Sequence, residues 1–269
     1  MGKKKIRSHY VTKGLTNPWL HNRGTYSYLR YFDFEKNQIV EKSAGTLFVS
    51  PGLLTKPQEL KFNQIIETPL TQSRAKLNAD PAYIPNWIEY RAFVLYFFGQ
   101  TKRFGAHADV VKTAGADSLA EFLEKDETFI NGLCQAWQTK YELISLRTME
   151  GHRLFFPEAG YFLIYFQDDT NIHGFVRSFC VPITPVLAFA MIPKGVNHAT
   201  LNVQRELLPS FSVGLNSHHK RVLIPPDVSS SFTEARIRQQ CLENRENSIS
   251  LVEQFNKKEK IIKHALGTD

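Results

Sequence analysis

Cysteine is scarce in this chain: three residues in 269, Cys134, Cys180 and Cys241, far apart and odd in number. With no Cys-x-x-Cys there is no cysteine-based zinc site, and a disulfide framework is excluded in practice. The three read as small apolar residues of a reducing compartment, so a cytoplasmic location is expected. No His-Glu-x-x-His is present, and no two of the nine histidines have the i, i+4 spacing of a metal-binding helix face. A phosphate-cradling Gly-x-x-x-x-Gly-Lys loop and a Gly-x-Gly-x-x-Gly fingerprint are both missing, as is the Gly-x-Ser-x-Gly elbow of α/β-hydrolases. The longest apolar run, Phe179–Pro193, is too short for a bilayer and contains Pro182, Pro185 and Pro193, so no membrane partner is expected. Lys3, Lys4 and Lys5 are not followed by an apolar stretch, so no secretory signal is predicted. Gly2 is a poor myristoylation acceptor, because Ile6 stands where Ser or Thr is required. Neither an internal repeat nor a low-complexity tract is found.

Acidic residues are also in deficit. Lys and Arg total 33 against 26 Asp and Glu, a formal charge of +7 and an isoelectric point near 9.2. A basic surface favours anionic partners: nucleic acid, nucleotide or acidic lipid. The hydrophobic fraction of 42% is that of an ordinary globular chain.

The pattern predicts an α+β fold. An N-terminal β-hairpin or meander spans residues 25–50, turning at Glu35-Lys36-Asn37-Gln38. Helical spacing runs from Pro57 to Asn78, with a kink expected at Pro69. Residues 87–104 are apolar on nearly every side, which predicts a buried helix ending in Lys102 and Arg103. Another helix is expected through residues 117–144, capped by Asp117 or Ser118 with Glu121. The second half alternates short apolar runs with turns, predicting a mixed sheet interrupted by a helix over residues 202–219. After residue 228 the chain is polar and helical, with Ile237, Cys241, Leu251, Val252 and Phe255 as a sparse apolar stripe. Such a tail packs loosely or docks a protein partner. The expected division is a basic flexible arm (1–8), a single domain (9–228) and a helical extension (229–269).

Two groups of residues carry chemistry. Lys3, Lys4, Lys5 and Arg7 are followed by Lys13, His21, Arg23 and Arg30, interleaved with Tyr10, Trp19, Tyr26, Tyr28 and Tyr31. Cations contact phosphate and exposed aromatics stack on bases, although alternating aromatics on a strand also make a core. The second group lies on the hairpin of residues 147–169, with Glu150, His152, Arg153, Glu158, Asp168 and Asp169. Carboxylates at a strand end suit Mg²⁺ or Mn²⁺, and such a metal activates water against a phosphodiester. The same residues also suit turns.

The order of short motifs resembles an uncharacterised, mainly bacterial family whose members open with a His-Tyr-Val-Pro signature. The matching pieces are His9-Tyr10-Val11, the hairpin around residues 35–42, Gln64-Ile65-Ile66-Glu67, the apolar helix ending at Arg103, the segment with Pro182, Thr184 and Pro185, and Asn216 with the strand after it. The likeness covers roughly residues 5–226. Thr12 replaces the signature proline, and Glu158 stands where the family has Asp. The resemblance implies a shared site made of His9, Glu67, Arg103, Glu158 and Asn216, and no mechanism. The expectation is a nucleic-acid-processing protein, a metal-dependent phosphodiesterase or nuclease in bacterial stress or mobile-element defence. In it His9, Glu158 and Asp168 are catalytic, Glu158 and Asp168 hold the metal, and Lys5, Arg7 and Arg103 bind phosphate, with Glu67 and Asn216 in support. The alternative is a non-catalytic module that binds nucleic acid or, through its C-terminal helix, a protein.

Overall fold

Three adjacent strands begin the fold because their turns are chemically specified. The structure, a computed structural model, describes residues 7–9, 11, 13–51, 53–80, 83–104, 119–148, 150–167, 175–195 and 220–266. A short strand β1 (Arg7–His9) precedes a single helical turn α1 (Lys13–Thr16), then β2 (Leu20–Arg23), β3 (Tyr26–Asp33) and β4 (Gln38–Ser43). Gly24 takes φ +61 between β2 and β3, and Asn37 takes φ 50 between β3 and β4. The Asp33 carboxylate accepts the Glu35 and Lys36 N–H groups and sets the second turn. The expected meander is therefore present. A further strand, β5 (Val49–Pro51), pairs back to β1.

The helical layer follows. α2 (Lys56–Phe62) starts with a capping box between Thr55 and Gln58. The expected kink at Pro69 is absorbed by a π-turn over Asn63–Glu67, where the Thr68 N–H reaches the Asn63 carbonyl. Pro69 then occupies the first turn of α3 (Thr68–Ala79), where its missing N–H costs nothing. α4 (Trp87–Phe104) is buried continuously from Glu89 to Tyr90 and from Ala92 to Gln100, as its composition predicts. The helix expected over 117–144 is two helices, α5 (Leu119–Glu124) and α6 (Glu127–Lys140). The break falls at Asp126, whose carboxylate accepts the Phe129 N–H at 2.7 Å and starts a new helix. The cap expected at Asp117 or Ser118 lies outside the described residues.

The second half carries the sheet expected there, antiparallel in its described pairings rather than mixed, and lends two short strands to the N-terminal meander. β6 (Tyr141–Arg147), β8 (Phe162–Gln167), β9 (Phe175–Thr184) and β10 (Leu187–Pro193) form a four-stranded sheet in the order β6-β10-β9-β8. Every described pairing is antiparallel, and β9 turns directly into β10 over residues 185–186. β7 (Phe156–Pro157) and β11 (Arg221–Leu223) instead join the N-terminal meander. β11 lies along Tyr31–Asp33, on the edge of β3 whose other half pairs with β2. Trp19 holds this junction: its indole N–H donates to the Leu154 carbonyl at 3.0 Å and its ring packs edge-on against Phe156.

The main core lies between α2–α4 and the β6-β10-β9-β8 sheet, with Phe97 stacked on Phe179 and Phe93 edge-on to Phe189. A smaller core of Phe32, Phe155, Val222, Ile224, Val228, Ile237 and Cys241 fills the space under α7 (Pro226–Ser231) and the first turns of α8 (Glu234–Leu266). The start of the tail is therefore no loose appendage, since Ile237 and Cys241 are fully buried. Among the described residues no helix is long and apolar enough to cross a membrane. The helix expected over 202–219 lies outside the described residues.

Candidate functional site: a polar cleft beside the C-terminal helix

Of the sequence-predicted site residues, Glu67 and Glu158 have described side chains, and these two lie in different clusters. His9 sits with its backbone opposite Val49 in the β1–β5 pair. Arg103 is in the last turn of α4. The side chains of Arg7, His9 and Arg103, and all of Lys5, Asp168 and Asn216, lie outside the described residues.

Glu67, in the π-turn, faces the N-terminal segment. Its carboxylate accepts the Gly14 N–H at 3.5 Å, and the guanidinium of Arg74 donates to the Gly14 carbonyl. Burial pushes the Glu67 carboxyl above its ordinary range; Glu59 raises it further, while the Gly14 N–H and Lys13 oppose the rise. One Glu59 oxygen is itself buried without a hydrogen-bond partner among the described residues. The structure thus joins Glu67 to the stretch that follows His9.

Glu158 belongs to a different cluster. It is 7% exposed, accepts the Lys220 N–H at 3.1 Å and faces the Arg221 guanidinium at 3.6 Å. Arg221 also approaches Asp33, 3% exposed, at 3.9 Å and lies over the Tyr31 ring. Burial raises the Tyr31 phenol; Arg221 opposes that rise, and Asp33 and Glu158 add to it. The carboxylate expected to hold a metal is engaged by an arginine and a backbone N–H, and it ties β7 to β11 and β3. Among the described residues no three His, Cys, Asp or Glu side chains are grouped as a metal site.

Among the described residues, most of the aromatic side of the basic–aromatic front is taken up by the fold. Trp19, Tyr28 and Tyr31 are core residues, whereas Tyr26 is 53% exposed and stacks on Tyr28. Arg23 faces Glu41 at 3.4 Å, and Arg30 pairs with Glu41 and Glu234. His21 is buried, with its Nε2–H donating to the Ile224 carbonyl and its ring stacked on Tyr28. Burial holds the His21 imidazole below its ordinary pKa, more than that hydrogen bond raises it.

What the structure does assemble is a cleft of about 460 Å³ between the turn 150–153, α7 and α8. Its volume falls among small-ligand sites, roughly 300–1,000 Å³. Phe155, Val228 and Phe232 make an apolar floor continuous with the smaller core. One wall carries His152 and Arg153; the other, on α8, carries Arg236, Gln239, Gln240 and Glu243. The Arg153 Nε–H donates to the Asp227 carboxylate and its Nη1 to the His152 carbonyl. The Arg236 guanidinium lies 4.4 Å over the Phe232 ring, and Gln239 donates to Glu243 at 2.7 Å. His152 bonds through Nδ1 to the Glu150 carbonyl, which leaves Nε2 available.

The sequence singled out His152 and Arg153 and missed the α8 wall. Positions 236, 239, 240 and 243 share a face of this helix at i, i+3, i+4 and i+7 spacing. The pattern was visible, but a polar helix face ordinarily means solvent.

Comparison with models of protein families, with curated proteins and with solved structures finds no match.

Proposed function

We propose that the protein binds single-stranded nucleic acid without cleaving it, seating one nucleotide in the cleft beside α8. The observation that carries the reading is the lining of that cleft. Two guanidinium groups and an imidazole share it with an aromatic floor and a row of amide and carboxylate groups. Arginine recognises phosphate oxygens through several N–H donors, and Gln240 or Glu243 reads a base edge. The net charge of +7 adds a sequence-independent attraction. The nuclease reading weakens because Glu158 is occupied by Arg221 and the Lys220 N–H.

Purified protein incubated with labelled RNA and DNA strands, with and without Mg²⁺ or Mn²⁺, separates the two. Salt-sensitive binding with intact strands supports the proposal. Cleavage that follows the protein through purification, and disappears in His9→Ala and Glu158→Ala, overturns it in favour of a metal-dependent phosphodiesterase.

A further inference from the structure

The cleft is a recess of one nucleotide's scale. A continuous strand needs a groove that lets chain enter and leave; grooves of that kind run over about four to sixteen nucleotides in known single-strand folds. At about 460 Å³ the cleft here has room for one nucleotide rather than several, which suits a strand end better than a strand passing through; beside it the Arg153–Asp227 pair ties the 150–153 turn to the first turn of α7.

The donors point the same way. Nε and Nη1 of Arg153 are used by Asp227 and the His152 carbonyl, and its Nη2 faces no acceptor among the described residues. The Arg236 side chain is stacked on Phe232, with no carboxylate partner among the described residues. His152 lines the same cleft. An internal phosphodiester carries a single negative charge. A terminal phosphomonoester carries about −1.5 to −2 at pH 7 with three acceptor oxygens, which matches this donor set better. The amide of Gln240, which has no hydrogen-bond partner among the described residues, is left to face the base.

We infer that the cleft takes the terminal, phosphomonoester-bearing nucleotide of a strand rather than an internal one. The inference rests on the nucleic-acid reading above and specifies its ligand.

The test uses the full chain and short, internally labelled single strands of RNA and DNA, ending in a 5′-phosphate, a 3′-phosphate or hydroxyl groups only. One phosphorylated end should bind about tenfold more tightly than hydroxyl-ended strands, the gain of a charge-assisted contact. Arg236→Ala should abolish that difference, and Arg238→Ala, exposed on the same helix outside the cleft, should keep it. Equal affinity for all ends, with Arg236→Ala weakening every strand alike, overturns the inference and leaves nucleic-acid binding in place. Absence of binding to any strand overturns both.

Discussion

Glu67 shows how little of a residue's environment its sequence neighbourhood reveals. Its helical setting and apolar neighbours were legible, but the π-turn was not. One extra residue per turn rotates Glu67 relative to an ideal helix, and it meets Gly14, 53 residues away. A carboxyl raised by burial stabilises the fold below its ordinary pKa, and that contribution is lost as pH rises through its folded value. Glu67→Gln should therefore raise the melting temperature at neutral and alkaline pH and leave it unchanged well below pH 4. An equal effect at both extremes would mean that ionisation is not the cause. Gly160 gives a steric counterpart. It takes φ +74, and a Cβ there would coincide with the Tyr96 hydroxyl in the core. Gly160→Ala should cost about 3 kcal/mol or more in chemical denaturation, combining backbone strain with overpacking. A loss below about 1 kcal/mol would show that Tyr96 moves aside freely.

Among elements, α8 departs most from its sequence reading. A polar tail with a sparse apolar stripe suggested an extension that packs loosely or docks a protein partner. The helix is 33 residues long, about 50 Å at 1.5 Å per residue, and its first turns close a core over Phe32, Phe155 and Val222. Ile237 and Cys241, one turn apart and fully buried, dock it together with Leu242. Sequence alone could not show what they meet, because Phe32 and Val222 come from strands 190 residues apart. Ile237→Ala should cost about 2–4 kcal/mol and release α8, detectable as faster hydrogen exchange across its first turns. Unchanged exchange there would contradict the docking. The same helix makes the cleft wall, so the variant should also weaken strand binding. The meander, the buried α4 and the strands of the second half were legible from alternation, turn residues and apolar runs. Their division into two sheets was not, since β7 and β11 are two and three residues long, and β7 reaches the meander only through β11, which pairs with β3 far back in the chain.

Across the whole molecule, buried ionisable groups set the pH range of the fold. His21 has a folded pKa below its ordinary value of about 6.5, so its contribution is present above that pH and lost as pH falls through the folded value. Glu89 is 1% exposed. Burial alone would raise its carboxyl, but donors from Lys76, Tyr83 and Asn86 outweigh it and hold the group below its ordinary value. Its contribution is lost at still lower pH. Acid unfolding should thus proceed through a window that begins below about pH 6.5 and ends below about pH 4. His21→Gln should remove the upper part of that window and leave the lower part. A transition unmoved by it would place the upper limit elsewhere.

The charge excess was legible from composition; its arrangement was not. Arg23 and Arg30 are paired at the front, while Arg153 and Arg236 converge from distant segments on one cleft. The most direct test of that convergence is strand affinity across a salt series for the wild type, Arg236→Ala and Arg23→Ala. Arg236→Ala should weaken binding about tenfold and make the salt slope shallower by about one unit, the signature of one lost phosphate contact. Arg23→Ala should leave both almost unchanged. Equal losses from the two variants, or a slope unmoved by Arg236→Ala, would contradict a nucleotide site in the cleft.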